Sequence, residues 1–387
     1  MVERVLKVLR FPPRDPAQAH RGVTPLELLF DLAAVVAIGA AAHGLAGFIV
    51  EGRPMAGLAA FVPSFFMVWW SWMNFTWFAS AYDDGSNAFR GLSMTVMFGA
   101  LMMAAGVGAA FAGKPIWMAL LGFVVMRLGM ALLWLGAWRG DPQRRPTAQR
   151  YALGIIAMQL YWIALVALVP PHAALYLPLF ALGAAGELAV PAMAERRAAT
   201  PWHRQHIIAR YGRLNLIVLG QAFLAVVSAF ELEPGSIFPR AEGVGLALIF
   251  AVIAFSMWSV YFTKEPHLVS GALRHSLLWG YGHVVVFATG AAAGAGMQAV
   301  LQSQGNGING AHWSVAAPVA LYCATLWWIR DRYALTGHRR WSLLVAAALV
   351  VTMEAIPGME LFSTAFILAA AALVRRVPAG SGVQAQA

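Results

Sequence analysis

Glu27 and Asp31 stand four residues apart in Thr24-Pro25-Leu26-Glu27-Leu28-Leu29-Phe30-Asp31, at the start of a long apolar run. On a helix this spacing places both carboxylates on one face, about 6 Å apart along the axis. Acids so placed can hold a cation, pass a proton or pair with a base on another helix. Thr24 as N-cap, Pro25 at the first helical position and Glu27 at the third form a capping box, which accounts for Glu27. Asp31 lies a turn deeper, and the expected partners are Arg210 or Arg213, at the matching end of a later apolar run. Arg127, near the middle of one apolar run, and Glu187, inside another, form a second expected pair. They are either a purely structural ion pair or an anion site built on the guanidinium fork.

Histidines and the cysteine add less. His283, in Trp279-Gly280-Tyr281-Gly282-His283, and His43 lie in apolar runs, where imidazole can shuttle protons or ligate haem iron. Two histidines on different helices do not define an axial pair, and no cofactor is expected. His203 and His206 are three apart without a carboxylate or cysteine nearby in their loop, so contact with anionic head groups is expected rather than a metal. Glu354 is expected to reach water. Cys323 is the single cysteine, which excludes an intrachain disulfide and a cysteine metal cluster. No nucleophile elbow, phosphate loop, dinucleotide fingerprint or His-Glu-x-x-His helix is present, which points away from a soluble type of enzyme.

Composition dictates the elements that position these groups. The chain has 387 residues, 60% hydrophobic and 11% charged, with a mean hydropathy of +0.67. A water-soluble domain carries about 25% charged residues, so most of this surface must face lipid. Crossing about 30 Å of hydrocarbon takes roughly 20 apolar residues. Twelve such stretches are expected, over 25–50, 55–80, 89–112, 115–138, 151–169, 173–194, 207–230, 241–262, 275–300, 313–330, 341–357 and 359–375. The last two are short, and fit a tilted hairpin or a re-entrant element as well as two crossings. The expected fold is an all-α polytopic membrane protein.

The net charge of +10 tests this count. Of 27 Lys and Arg, twenty-two fall in the N-terminal tail, in or at the edges of the loops after even-numbered spans, or at the end of the last span. Loops after odd-numbered spans hold only Arg53, Lys114 and Arg240, and the other two, Arg127 and Arg213, lie further inside spans. That asymmetry is the positive-inside pattern of an even span count with both termini cytoplasmic. It explains the basic excess by topology, without nucleic acid. Residues 1–23, charged and punctuated by proline, read as a cytoplasmic tail rather than a secretory signal.

Trp69-Trp70-Ser71-Trp72-Met73-Asn74-Phe75-Thr76, followed by Arg90, is echoed about 185 residues later by Phe255-Ser256-Met257-Trp258-Ser259-Val260-Tyr261-Phe262-Thr263, followed by Arg274. The expected organisation is two parallel six-helix repeats, 24–195 and 196–376, related by an axis along the membrane normal, with a disordered C-terminal tail at 377–387. Gly290-Ala-Ala-Ala-Gly294 marks close helix packing. The tryptophans read as interface anchors, with Trp69, Trp70 and Trp72 dense enough to line a pathway.

Several of these segments resemble the bacterial low temperature requirement A (LtrA) family of membrane proteins. Thr24 through Leu32 with His43 is similar to its opening motif; Trp202-His203 through Ile207, Arg210-Tyr211-Gly212 and Ile217-Val218-Leu219-Gly220 to its central motif; Trp279 through His283 to a third. The chain departs from the family pattern at Gln221, where a Glu is usual, at Glu187, where an Asp is common, and at Ala33 and Ala34, where bulky aromatics are usual. The family's name refers to growth in the cold and implies no particular chemistry. A shorter likeness links Glu27 through Ile38 to the first helix of potassium channels built from two six-span repeats.

These readings lead to a bacterial inner-membrane protein that moves an ion or small solute, with Glu27, Asp31, Arg210, Arg213, Gln221 and His283 as candidate transport or ion-binding residues. The alternatives are a cation channel lined by spans one and seven, constricted at Val35 and Ile38, and a lipid-binding membrane protein or enzyme using Arg127 and Glu187. Expected partners are membrane lipids, the transported species and, optionally, further copies of the chain.

Overall fold

The structure is a computed structural model that describes residues 9–230, 241–262, 268–303, 311–357 and 359–376. Residues 1–8, Arg240, Thr263 and the expected tail at 377–387 lie outside it. Regular structure among the described residues is helical throughout. The helices are α1 (Pro25–Val50), α2 (Pro54–Tyr82), α3 (Asn87–Phe111), α4 (Trp117–Gly140), α5 (Arg145–Leu168) and α6 (Tyr176–Ala194), followed by α7 (Arg204–Ser228), α8 (Ala241–Tyr261), α9 (Leu273–Ser303), α10 (Trp313–Leu326), α11 (Gly337–Glu354) and α12 (Glu360–Arg376). A π-helical turn, Trp327–Asp331, and a last turn, Arg332–Ala334, extend α10.

Among the described residues, α1 to α9 are long and apolar enough to cross a membrane. The final three helices fall short of that standard. The π turn interrupts α10 after 14 residues, α11 opens on Gly337-His338-Arg339-Arg340, and α12 has only 17 residues. Of the twelve expected stretches, nine therefore meet the requirements of length and apolarity.

Local chemistry sets the helix ends. At the start of α1, Glu27 accepts from the Thr24 backbone N–H at 2.8 Å, and the Glu27 N–H donates to Thr24 Oγ1 at 3.3 Å. Ser86 caps α3 by accepting from the Phe89 N–H at 3.1 Å. Just past the end of α3, Gly113, with a φ of +64°, carries the chain into a left-handed turn that suits glycine, and the Lys114 N–H closes on the Ala109 carbonyl at 2.9 Å.

The chain forms two compact units: residues 1–45, 55–217 and 271–277, and residues 46–54, 218–270 and 278–387. The first half of α7 belongs to the first unit, with α1 and α2. In the first unit α3 and α4 touch backbone to backbone. A Cβ on Gly122 would lie 2.5 Å from the Gly99 carbonyl oxygen, and one on Gly106 would lie 2.3 Å from the Ala119 nitrogen. In the second unit, Gly296 of α9 meets Ser314 of α10 in the same way. Helices gain no hydrophobic driving force from association in lipid, so such small-residue contacts supply much of the adhesion.

The described part of the N-terminal segment is packed into the first unit. Phe11 is fully buried, edge-on to Phe78 and Phe89, and its N–H donates to the Gly136 carbonyl at 3.1 Å. Arg14 and Arg21 then cap the carboxyl end of α2. Arg14 donates to the Asp83 carbonyl at 2.6 Å; Arg21 donates to Ala79 at 2.6 Å and to Ser80. Burial and the charge of Arg14 lower the Arg21 pKa to about 10, which leaves it cationic near neutral pH. Burial raises the pKa of Asp83, opposed by a hydrogen bond from the Gly85 N–H.

Gly140 is the tightest point of this docking, since a Cβ there would lie 1.9 Å from the Phe11 carbonyl oxygen. Gly140→Ala is expected to lift the segment away, lowering stability in detergent by about 1–3 kcal/mol, the usual cost of overpacking, and speeding tryptic cleavage at Arg14 and Arg21. Unchanged melting and cleavage would refute the docking.

Candidate functional site

Four ionisable side chains on α1 and α7 form two stacked rungs in the first unit. His206 Nε2 lies 3.0 Å from Glu27 Oε1 and 3.2 Å from Oε2. One turn deeper, Arg210 grips Asp31 with both terminal nitrogens, Nη1 to Oδ2 at 2.9 Å and Nη2 to Oδ1 at 2.8 Å. All four side chains are fully buried. Glu27 to Asp31 and His206 to Arg210 are both i, i+4 steps, so two helices running in the same direction present matching faces. His206 Nδ1 has no partner. The carboxylate of Glu27 therefore selects the tautomer with hydrogen on Nε2.

Helix α2 supplies the shell around the inner rung. Trp72 Nε1–H donates to Asp31 Oδ1 at 2.6 Å, and Arg210 Nη2 also donates to Thr76 Oγ1 at 3.2 Å. The Arg210 guanidinium lies 5.7 Å from the Trp72 ring centroid. Phe30 stacks on Phe75 at 4.2 Å, which holds α1 against α2 beside the charged pair. Asp31 thus receives two hydrogen bonds and a further close ion-pair contact, which make a buried carboxylate tolerable.

A second buried pair lies on α4 and α6 of the same unit. Arg127 Nη2 meets Glu187 Oε2 at 2.6 Å, and two indoles complete the carboxylate: Trp70 donates to Oε2 at 2.9 Å and Trp162 to Oε1 at 3.1 Å. Arg127 Nε and Nη1 have no partner, nor has the amide of buried Gln159. An apolar cavity of about 210 Å³ adjoins the pair through Trp162. Phe123 and Phe180 also line it, and Lys114 stands among its polar residues. Pro63, which interrupts the hydrogen-bond ladder of α2, and Gly106 contribute to its wall.

The other candidates lie elsewhere. Half-buried Arg213 donates to the Ala209 carbonyl at 3.2 Å rather than to Asp31. Gln221 belongs to the second unit, where a Cβ on Gly294 would lie 2.6 Å from its own Cβ, so α7 and α9 pass closely there. His283, also in the second unit, is buried between aromatic rings, its Nδ1 2.7 Å from the Trp279 carbonyl and its Nε2 3.2 Å from the Tyr261 hydroxyl. Ile38 is fully buried and Val35 partly so. His43 is exposed.

Two expectations are corrected. His203 and His206 do not face head groups. His203 Nε2 is 2.8 Å from the Gln18 carbonyl and its N–H donates to Ser80 Oγ, while His206 partners Glu27, because the packed N-terminal segment closes over them. Glu354 does not reach water: it is buried, accepting from Thr364 Oγ1 at 3.2 Å across the α11–α12 turn.

Sequence reading missed the indoles as carboxylate donors and missed His206 as a partner. The signal for His206 was present, since His206 and Arg210 repeat the four-residue spacing of Glu27 and Asp31. It also missed a network in the second unit. Asp331, in the π turn, takes Arg330 Nε at 2.6 Å and Arg375 Nη1 at 2.8 Å. Arg330 in turn caps α8, donating to the Val260 and Tyr261 carbonyls at 3.0 Å each. These arginines had counted only as loop charges. Among the described residues no cluster of three or more metal-ligating side chains occurs.

Among the described residues, nine long apolar helices, with carboxylates neutralised inside them by arginine and indole donors, define a polytopic membrane protein. Residues 22–376 match the family model of the bacterial low temperature requirement A protein (LtrA), and the chain belongs to that family. It is 28% identical over 247 residues to an uncharacterised protein of Rhizobium meliloti (strain 1021), a match covering 61% of this chain and 57% of the relative. The chain thus spans little more than half the length of that relative. No solved structure matches.

Removing one member of a buried pair strands the other. Arg127→Met and Glu187→Leu should each destabilise the protein by about 3–5 kcal/mol in thermal melts, and the double variant by much less than their sum. Additive losses would mean that the two side chains do not interact.

Proposed function

We propose that the protein moves a small ion or solute across the bacterial inner membrane, with Glu27–His206 and Asp31–Arg210 as the elements that couple helix movement to proton or cation binding. One observation carries this reading: two fully buried acid–base rungs join α1 to α7 inside segments apolar enough to span a bilayer. Ionisable groups within membrane-spanning helices are costly and are characteristic of transport paths. Protonation of Asp31 would cancel its charge and weaken its hold on Arg210, which keeps Thr76 as an alternative acceptor. His206, with one nitrogen free, is suited to relay a proton to or from Glu27.

A repeat of six-helix halves would support the same function, in a register of 179 residues that is shorter than the spacing of about 185 in the tryptophan-rich echo. Glu27 to His206 and Asp31 to Arg210 share an offset of 179 residues, as do Tyr82 and Tyr261, which end α2 and α8. Repeat-equivalent positions can touch one another only near the axis that relates the repeats. The two rungs would then lie on that axis, where parallel-repeat transporters place their pathway. Both termini would be cytoplasmic, as the distribution of Lys and Arg favours. A second reading, a lipid-binding membrane protein, is favoured by the apolar cavity beside Arg127 and Glu187.

Proteoliposomes carrying proton, sodium or potassium gradients test the transport reading. Wild type should dissipate at least one of them, and Asp31→Asn should abolish a coupled proton flux while leaving an uncoupled channel partly conducting. If no gradient decays faster than in empty vesicles, transport of these ions is excluded. For topology, in a Cys323→Ser background, a cysteine at Lys114 should react with an impermeant maleimide on intact cells and one at Arg145 only after permeabilisation; the reverse pattern would overturn the orientation.

A further inference from the structure

A groove of about 460 Å³ lies between α5 and α6 of the first unit, lined by Arg150, Arg196 and Arg197 together with Leu153, Met193 and Val190. Its charge is uniformly positive. Arg196 and Arg197 are exposed and form no ion pair among the described residues. Arg150 makes one long contact, 3.5 Å to the Ala194 carbonyl, which leaves most of its guanidinium available. The neighbouring acid does not neutralise them. Glu195 is turned inward, where it accepts from Tyr151 Oη at 2.8 Å and Thr200 Oγ1 at 2.7 Å, and burial raises its pKa.

The groove also has an apolar continuation. Leu153 is 62% exposed and Met193 50% exposed; Leu153 sits about one turn after Arg150 on α5, and Met193 about one turn before Arg196 and Arg197, which follow the end of α6. Its floor is narrow by construction, since a Cβ on Gly154 would lie 2.7 Å from Val190 Cγ1. A helix dipole accounts for basic residues at the end of α6 but not for a basic groove that opens onto exposed hydrocarbon-facing side chains.

From this polarity step we infer a binding site for an anionic phospholipid, with its phosphate held by Arg150, Arg196 and Arg197 and an acyl chain lying along Leu153 and Met193. The shared chemistry is phosphate recognition by guanidinium groups. The adjoining apolar strip selects the lipid over a free ion. The site is separate from the α1–α7 rungs and does not depend on the transport reading.

The test is native mass spectrometry of full-length, delipidated protein titrated with phosphatidylglycerol or with phosphatidylcholine of identical chains. Wild type should retain phosphatidylglycerol in preference to phosphatidylcholine. Arg150→Gln/Arg196→Gln/Arg197→Gln should weaken that binding by at least about tenfold, since each basic group near an anionic surface contributes on the order of fivefold. A control with equal charge loss elsewhere, Arg10→Gln/Arg90→Gln/Arg340→Gln, should stay close to wild type. Should the groove triple fail to fold, Arg197→Gln alone, at an exposed position, should still reduce retention severalfold. Equal losses in groove and control variants, no preference for phosphatidylglycerol, or displacement of the lipid by millimolar inorganic phosphate would each overturn the assignment.

Discussion

An ionised side chain inside hydrocarbon must find its counter-charge and its hydrogen bonds within the protein, because neither water nor salt can supply them. Asp31 and Glu187 meet that demand through an arginine from another helix, Arg210 and Arg127, and buried Asp331 is held in the same way by Arg375. Each of these bonds is also a cross-link between helices. Asp31 ties α1 to α7, Glu187 ties α6 to α4, and Asp331 ties the end of α10 to α12. Between the charged links the helices adhere through small residues that let backbones meet, as at Gly99 with Gly122 and Gly296 with Ser314.

Tryptophan performs a related task. Trp70, Trp72 and Trp162 are buried, with their indole N–H groups on the carboxylates of Glu187 and Asp31. An indole is suited to this position because it offers one donor from an otherwise apolar body and adds no charge to the interior. It leaves the pair neutral overall while satisfying the remaining acceptor positions. Asp31 and Glu187 are therefore held by the same combination of one arginine and indole donors, on different helices of the same unit.

The chemistry of the α1–α7 rungs is partly legible in the sequence. A carboxylate as deep as Asp31 must be paired, and few cations are deep enough to serve, so Arg210 is one of two candidates on sequence grounds. Selection between Arg210 and Arg213 is not legible, because it depends on which face of α7 meets α1. Trp72 and Thr76 complete the site from α2, and nothing in their own neighbourhood marks them as partners of α1 or α7. The Asp331 network is hidden for a different reason. Consecutive charges at Arg330, Asp331 and Arg332 look like a solvated loop, and only the π turn carries Arg330 and Asp331 inward.

Constraints that act along one dimension are readable from the chain alone: runs of apolar residues long enough to span lipid, the capping box that starts α1, the short roster of charges that cannot be solvated, and the motifs that place the chain in its family. These depend on bilayer thickness, helix rise and local hydrogen bonding. Which side chains meet is settled only in three dimensions. Packing there docks the N-terminal segment against Gly136 and Gly140, turns His203 and His206 inward, buries Glu354 and groups the first half of α7 with α1. In each case the cause is the same: the free energy of a buried polar group is set by what lies within about 3 Å of it, and that distance is bridged by residues far apart along the chain.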